Sequence, residues 1–206
     1  MAAQTVLVVG ATGNIGVAAV KGALQAGRNV LAVVRNQNSA DKLIKHVGTS
    51  KGITFVEADV ASDSGIANVV TKVREGKLPA FQHLAGIAYR DTIEYLREQE
   101  NSSFTMCTGS QGDLATHPLP AMTQGALFSL CLGAARENLD KSVRVNEVYL
   151  GFRVEVDEDA AQHGVVSSTE FGAVFEQLLD RSDIRSARVQ VTTPEDMRVL
   201  RHARRF

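Results

Sequence analysis

Three glycines at three-residue intervals carry the clearest chemical signal in the chain: Gly10, Gly13 and Gly16 in "VLVVGATGNIG". They follow an apolar β-branched run and open a helical pattern, the context in which such spacing acquires meaning. The first glycine permits a tight turn. The next removes bulk where a pyrophosphate must approach the backbone, and the third lets helix and strand pack closely. N–H groups at the helix start would then face phosphates, with the helix dipole favouring negative charge. Thr12, Asn14 and Ile15 belong to the same turn, and the first two can add hydrogen bonds. Dinucleotide binding is the expectation; a bare strand-to-helix junction is the simpler alternative.

The second strand, "NVLAVV", ends at Arg35, and no Asp or Glu occurs from Val30 to Ala40. An acidic residue at that place would hold a ribose 2′-hydroxyl, whereas a basic one accepts a 2′-phosphate. A guanidinium does so with two parallel hydrogen bonds. NADP is therefore expected in preference to NAD.

Apolar β-type runs alternate with helical patterns along the rest of the chain. Strands are expected at Thr5–Val9, Asn29–Val34, Ile53–Ala58, Phe81–Ala88, Phe104–Thr108, Val143–Leu150 and Ala187–Val191. Helices are expected at Asn14–Gln25, Asp41–His46, Asp63–Glu75, Thr92–Gln99, Ala121–Leu139 and Thr169–Arg181, with a short final one opened by Pro194. This rhythm predicts a doubly wound parallel sheet of the Rossmann type, about seven strands with helices on both faces. The 206 residues form one expected domain.

Composition excludes several classes. A net charge of −1 with 22% charged residues argues against a general nucleic-acid or membrane-surface role. No apolar run approaches the ~18 residues of a membrane span, and no secretory signal pattern opens the chain. The two cysteines, Cys107 and Cys131, lack zinc-type spacing and read as reduced core thiols of a cytoplasmic protein, with no metal expected. The basic tail "MRVLRHARRF" reads as a solvated terminal face.

Taken together, these segments resemble the short-chain dehydrogenase/reductase (SDR) family over nearly the whole chain. "GATGNIG" is similar to its glycine motif. "ADV" resembles the segment that contacts adenine, which assigns that role to Asp59 and Val60. "LAGIA" matches the end of its Asn-Asn-Ala-Gly motif, giving Ala85 and Gly86 to the cofactor wall, with His83 and Leu84 where the two Asn would stand. "AARENLDKSVRVNEV" resembles its helix-to-sixth-strand passage. The resemblance implies hydride transfer between a nicotinamide and a carbonyl or alcohol. The family uses a Tyr proton donor, a Lys four residues on, a Ser on the fifth strand and a relay Asn.

Here the resemblance breaks. The Tyr and Lys positions fall at Pro120 and Gln124, in "PLPAMTQGALFSL". Proline has no donor, and a neutral amide cannot depress a neighbour's pKa. The Ser position falls near Thr108 or Ser110, so a hydroxyl is expected there. The segment at about 87–103 is short, leaving no relay Asn and a reduced version of the helix that often builds the family's dimer; an oligomer remains possible.

Other polar residues near strand ends are Tyr89, Arg90, Asp91, Tyr149 and Arg153, and the likeliest acid/base set by side-chain type is Asp113 with His117. His83 reads as a core histidine. The leading functional expectation is an NADPH-dependent reductase of a small apolar carbonyl or biosynthetic intermediate of secondary metabolism, with a substituted donor or water. Non-redox chemistry on an SDR-like scaffold and a non-enzymatic NADP-binding sensor or partner protein are the alternatives.

Overall fold

The computed structural model describes residues 3–206. Its centre is an eight-stranded sheet in the order β10-β9-β6-β5-β4-β1-β2-β3. These strands are β1 (Thr5–Val8), β2 (Asn29–Val34), β3 (Ile53–Glu57), β4 (His83–Ala85), β5 (Ser103–Gly109), β6 (Arg144–Leu150), β9 (Ala187–Val191) and β10 (Arg201–Arg204). All pairings are parallel except that of β10 on β9. The doubly wound expectation holds, and the order reverses between β1 and β4.

The side-chain period of two sorts each strand between two cores. Val6 and Val8 of β1 join Val30 and Ala32 of β2 on one face. There they meet α1 (Asn14–Gln25), α2 (Gln37–Val47) and α8 (Ser168–Asp180). Leu7, Leu31 and Val33 turn to the other face. That face is covered by α3 (Gly65–Arg74), α4 (Tyr89–Arg97) and α6 (Pro118–Glu137). Helix ends follow local chemistry. Asn36 caps α2, which stops at Gly48 in the left-handed region, and Ser167 with Glu170 forms a capping box on α8. The helix α6 begins at Pro118, three residues before the expected Ala121, because prolines fit its first turn.

Five elements are additional to the expected set. A two-stranded ribbon of β7 (Val154–Glu155) and β8 (Val166–Ser167) encloses α7 (Asp157–His163), and α5 (Gln111–Leu114) is a single turn. The fifth is β10: the tail is exposed, as a solvated face should be, and also pairs with the edge of β9. Arg201 pairs with Asp196, Arg205 reaches inward to Glu147, and Phe206 lies under the Arg136 guanidinium of α6 at 4.7 Å.

The tail thereby closes a charge cluster beneath α6. Glu147, 3% exposed, receives both Arg188 Nε at 2.8 Å and Arg188 Nη2 at 2.9 Å. Arg205 Nη2 donates at 2.7 Å and Thr108 Oγ1 at 2.8 Å. Arg188 is itself stacked between Phe128 and Tyr149. Every acceptor site of the carboxylate is thus used, the condition under which a buried ion is tolerated. Glu147→Ala leaves two guanidiniums without their partner, and we expect a loss of about 3 kcal/mol in urea unfolding.

Asp196 anchors the approach to β10 from the 3-10 turn Pro194–Met197. Its carboxylate accepts the N–H groups of Thr192 and Thr193, each at 2.9 Å. Burial pushes its pKa up, but those N–H groups, Arg201 and the Thr192 hydroxyl outweigh it and bring it down to about 2 from an ordinary 3.8. The contribution is complete above that ordinary value and lost as pH falls through about 2. Acid unfolding of Asp196→Asn should show a smaller fall in stability between pH 4 and pH 2 than the parent.

Candidate functional site

The chain leaves β1 and turns at Gly10, whose φ of +82° lies in the left-handed region. The Gly13 N–H donates to Gly10 O at 3.1 Å, and the Val17 N–H donates to Gly13 O at 2.8 Å, so α1 starts at once. A Cβ on Gly16 would stand 2.0 Å from Gly10 O, which only glycine avoids. Gly13 is different. A Cβ there would meet Gly10 O alone, at 3.5 Å, an ordinary contact. No side chain caps α1, and its first turn holds no acidic residue. Free helix-start N–H groups beside a bare glycine backbone fit a pyrophosphate.

A cavity of about 410 Å³ opens over this loop at the carboxyl ends of β1, β4 and β5. Gly10, Gly13, Asn14, Ile15 and Gly16 line one side of it. Val60, Ala85 and Gly86 line another. A second hollow of about 340 Å³ shares Val9, Val60 and Ile87 with it and runs toward Tyr89 and Asp91. Thr12, Arg35 and Asp59 lie outside the cavity lining. Arg35 is exposed at the end of β2 and has no ion pair or side-chain hydrogen bond among the described residues. The Asp59 carboxylate turns back to accept the Ala61 N–H at 3.0 Å. The Asn14 carboxamide is partly used as well. Its Oδ1 accepts the Val156 N–H at 3.3 Å, and its backbone oxygen accepts from Ser168 Oγ at 2.7 Å. These bonds tie α1 to the β7–β8 ribbon.

The residues expected to supply acid, base or orienting hydroxyl are elsewhere. Thr108 faces away from the cavity, because strand alternation sends it to the α6 side, where Glu147 takes its hydroxyl. Ser110 caps α5, with its N–H bound to Leu150 O at 2.9 Å, and does not line the cavity. Asp113 and His117 are both exposed and share no hydrogen bond; His117 Nδ1 lies 3.1 Å from Thr116 Oγ1 instead. They form no acid/base pair at this site. Gln124 Oε1 accepts the Gly109 N–H at 2.7 Å, holding α6 to the end of β5.

The tyrosines are equally unsuited. Burial and the Glu137 carboxylate push the Tyr89 phenol up to about 12. It donates to Glu137 at 2.7 Å and accepts from Asn138 at 2.8 Å. Tyr149 is also raised, by burial first and then by Asp113. Arg153 pairs with Glu155. His83 is a core histidine as expected, bonded to Ser103 Oγ at 2.9 Å and lowered to about 4 by burial and the Arg144 and Arg28 charges.

Two side chains on β5 do face the cavity, Thr105 and Cys107, and sequence reasoning passed over both. The signal was present. Phe104 and Met106 are apolar core residues, so Thr105 and Cys107 must share the opposite face. Cys107 is the one titratable side chain lining the cavity. Burial and the Glu147 charge push its thiol up to about 12, so it is neutral at physiological pH.

Comparison with known proteins agrees with this geometry. The profile of the short chain dehydrogenase family matches residues 4–126. A short-chain dehydrogenase/reductase of Pestalotiopsis fici, iacG, is 45% identical over 235 aligned positions, covering 96% of this chain and 95% of that one. The alignment is longer than the 206 residues of this chain, which therefore carries gaps against it. An SDR-family oxidoreductase from Burkholderia thailandensis superposes with a TM-score of 0.76 at 18% identity, covering 93% and 92% of the two chains. A short chain oxidoreductase from Pseudomonas aeruginosa, described as NADPH-bound and containing an atypical catalytic center, gives 0.73 at 14%, covering 91% and 95%. The chain belongs to the short-chain dehydrogenase/reductase family, a family of oxidoreductases that bind nicotinamide cofactors.

The contrast between the two glycines gives a clean test. Gly13→Ala has room in the protein but adds bulk toward the cavity. Its melting temperature should stay close to the parent's while NADPH affinity, read by fluorescence titration, falls about tenfold or more.

Proposed function

We propose that the protein binds NADPH across the glycine loop and reduces a small apolar acceptor, with the proton drawn from water. One observation supports this most: a glycine-lined cavity fitted to a pyrophosphate whose walls carry no group able to act as an acid near neutral pH. The α1 N–H groups would hold the pyrophosphate, Val60 the adenine side, and Arg35 the 2′-phosphate. Arg35 suits that task because no protein carboxylate neutralises it. Held there, the nicotinamide would supply a hydride to an acceptor carbon, and the proton for the product oxygen would come from solvent.

An acceptor that delocalises the resulting negative charge, such as a conjugated carbonyl or quinone, depends least on a positioned acid. The apolar lining of the cavity, Val9, Ile15, Ala19, Ile87 and Phe175, suits a substrate of that character. A biosynthetic intermediate of secondary metabolism is the substrate type we favour. The Pseudomonas aeruginosa protein lends support as an example of this fold carrying NADPH beside an atypical centre.

The lack of an acid also favours a second reading, in which the dinucleotide is held without turnover in a non-redox enzyme or sensor. Titration with NADPH, followed by nicotinamide absorbance with a panel of enones, quinones and aldehydes, separates the two. Oxidation of NADPH with any of them supports the reductase. Binding without oxidation transfers weight to the second reading, and absence of binding ends both.

Arg35→Ala should weaken NADPH binding about tenfold while leaving NADH within twofold, since one charge-assisted bidentate contact is lost. Equal losses for both dinucleotides would overturn the assignment of the 2′-phosphate to Arg35.

A further inference from the structure

The amide of Asn14 joins two regions that the sequence keeps far apart. Asn14 lines the cavity at the start of α1, while its Oδ1 accepts the N–H of Val156, 142 residues further on, at 3.3 Å. That bond decides which way the amide faces. A backbone N–H only donates, so the atom turned to it must be the carbonyl oxygen; the flipped amide would set donor against donor. Nδ2 is left on the other arm and makes no hydrogen bond among the described residues. The start of α1 cannot use it, because the free groups there are N–H donors too. Val156 is itself firmly placed. Val154 and Val156 are buried in the core, and the next residue, Asp157, is fastened to Lys21 Nζ of α1 at 2.6 Å, to Thr169 Oγ1 at 2.6 Å and to the Thr169 N–H at 3.1 Å. Ser168 Oγ, wholly buried, donates to Asn14 O at 2.7 Å, so α8 grips the same residue by its backbone. Val156 does not line the cavity.

We propose that Val156 is a positioning residue for the dinucleotide: its N–H holds Asn14 Oδ1, so that the Asn14 NH2 group stands ready for a pyrophosphate oxygen. This rests on the dinucleotide-binding part of the reading above and is common to its redox and non-redox forms. An amide free to flip turns its oxygen toward a phosphate in one of its two orientations and must be ordered on binding. One fixed beforehand avoids that cost. The contact is neutral and aimed at the pyrophosphate, which NADPH and NADH share. Its contribution is therefore the same for both, unlike that of Arg35.

The test uses the full-length protein and Val156→Pro. Val156 has φ −60° and ψ 150° at the N-cap of α7, values a proline adopts without strain, so the change removes the N–H and little else. NADPH and NADH affinities are read by fluorescence titration in the parent, Val156→Pro, Asn14→Ala and the double variant. Val156→Pro should weaken both dinucleotides about fivefold, the worth of one hydrogen bond, although the residue touches neither. On the Asn14→Ala background the same change should cost less than about 1.5-fold, since no amide remains to be positioned. Unchanged affinity in Val156→Pro overturns the proposal. So does an equal loss on both backgrounds, which a general loosening of the fold would give. Should Val156→Pro fail to fold, amide hydrogen exchange read by NMR decides. Coupling between two sites is reciprocal, so bound NADPH should slow exchange of the Val156 N–H about fivefold in the parent and leave it unchanged in Asn14→Ala. No slowing in the parent, or equal slowing in both, overturns the proposal. If the parent binds neither dinucleotide, the dinucleotide reading falls and the positioning role with it; if the parent binds and Val156→Pro binds equally well, the positioning role falls alone.

Discussion

The approach of the Gly16 backbone to the Gly10 carbonyl is the contact on which this architecture turns. It leaves no space for a Cβ, so α1 lies flush on the end of β1. Gly86 makes a similar approach from β4, where a Cβ would stand 2.9 Å from Val9 Cβ. Glycine in such places carries an entropic cost of roughly 0.5–1 kcal/mol each relative to alanine. The structure keeps them because these close approaches aim the N–H groups of α1 over the gap between β1 and β4. On its far side, α1 meets α8 just as closely, with a Cβ at Gly22 falling 2.3 Å from Gly172 O. The phosphate loop is therefore the exposed end of a rigid helix pair, which explains why it can be open without being loose.

On the opposite face the organising term is electrostatic. Glu147 draws together β5 through Thr108, β9 through Arg188 and the tail through Arg205. Phe128 of α6 stacks on Arg188, and Gln124 binds the backbone of β5. The helix that resembles the family's active-site helix is thus held in register by new means. Pro120 lies in its first turn, and Gln124 anchors it to the end of β5.

The fold was legible because continuous apolar strands and capped helices announce themselves locally. Asn29–Val34 and Asn14–Gln25 are read to the residue. The glycine loop was legible for the same reason, since its constraint is backbone geometry encoded in residue type. What escaped was set by tertiary context. β10 is two arginines and an alanine around His202, all exposed, and becomes a strand only because the edge of β9 offers partners. β7 and β8 are two residues each and depend on α1 beneath them. Motif position points to Thr108, whereas strand parity points to Cys107 and Thr105. Parity is the physical rule, and the apolar pair Phe104 and Met106 already declared it.

These two halves bear on one another at the cavity. A site without an acid cannot rely on proton donation to draw its substrate through the transition state. Discrimination must then come from apolar burial and from direction. Apolar burial supplies affinity in proportion to area and is indifferent to orientation. Orientation needs at least one fixed polar contact, placed on a rigid element so that its geometry is not spent on ordering. β5 is such an element. It is paired on both sides and clamped at its end by Gln124. The cavity is therefore framed by rigid elements, the close-packed start of α1 and a strand paired on both sides.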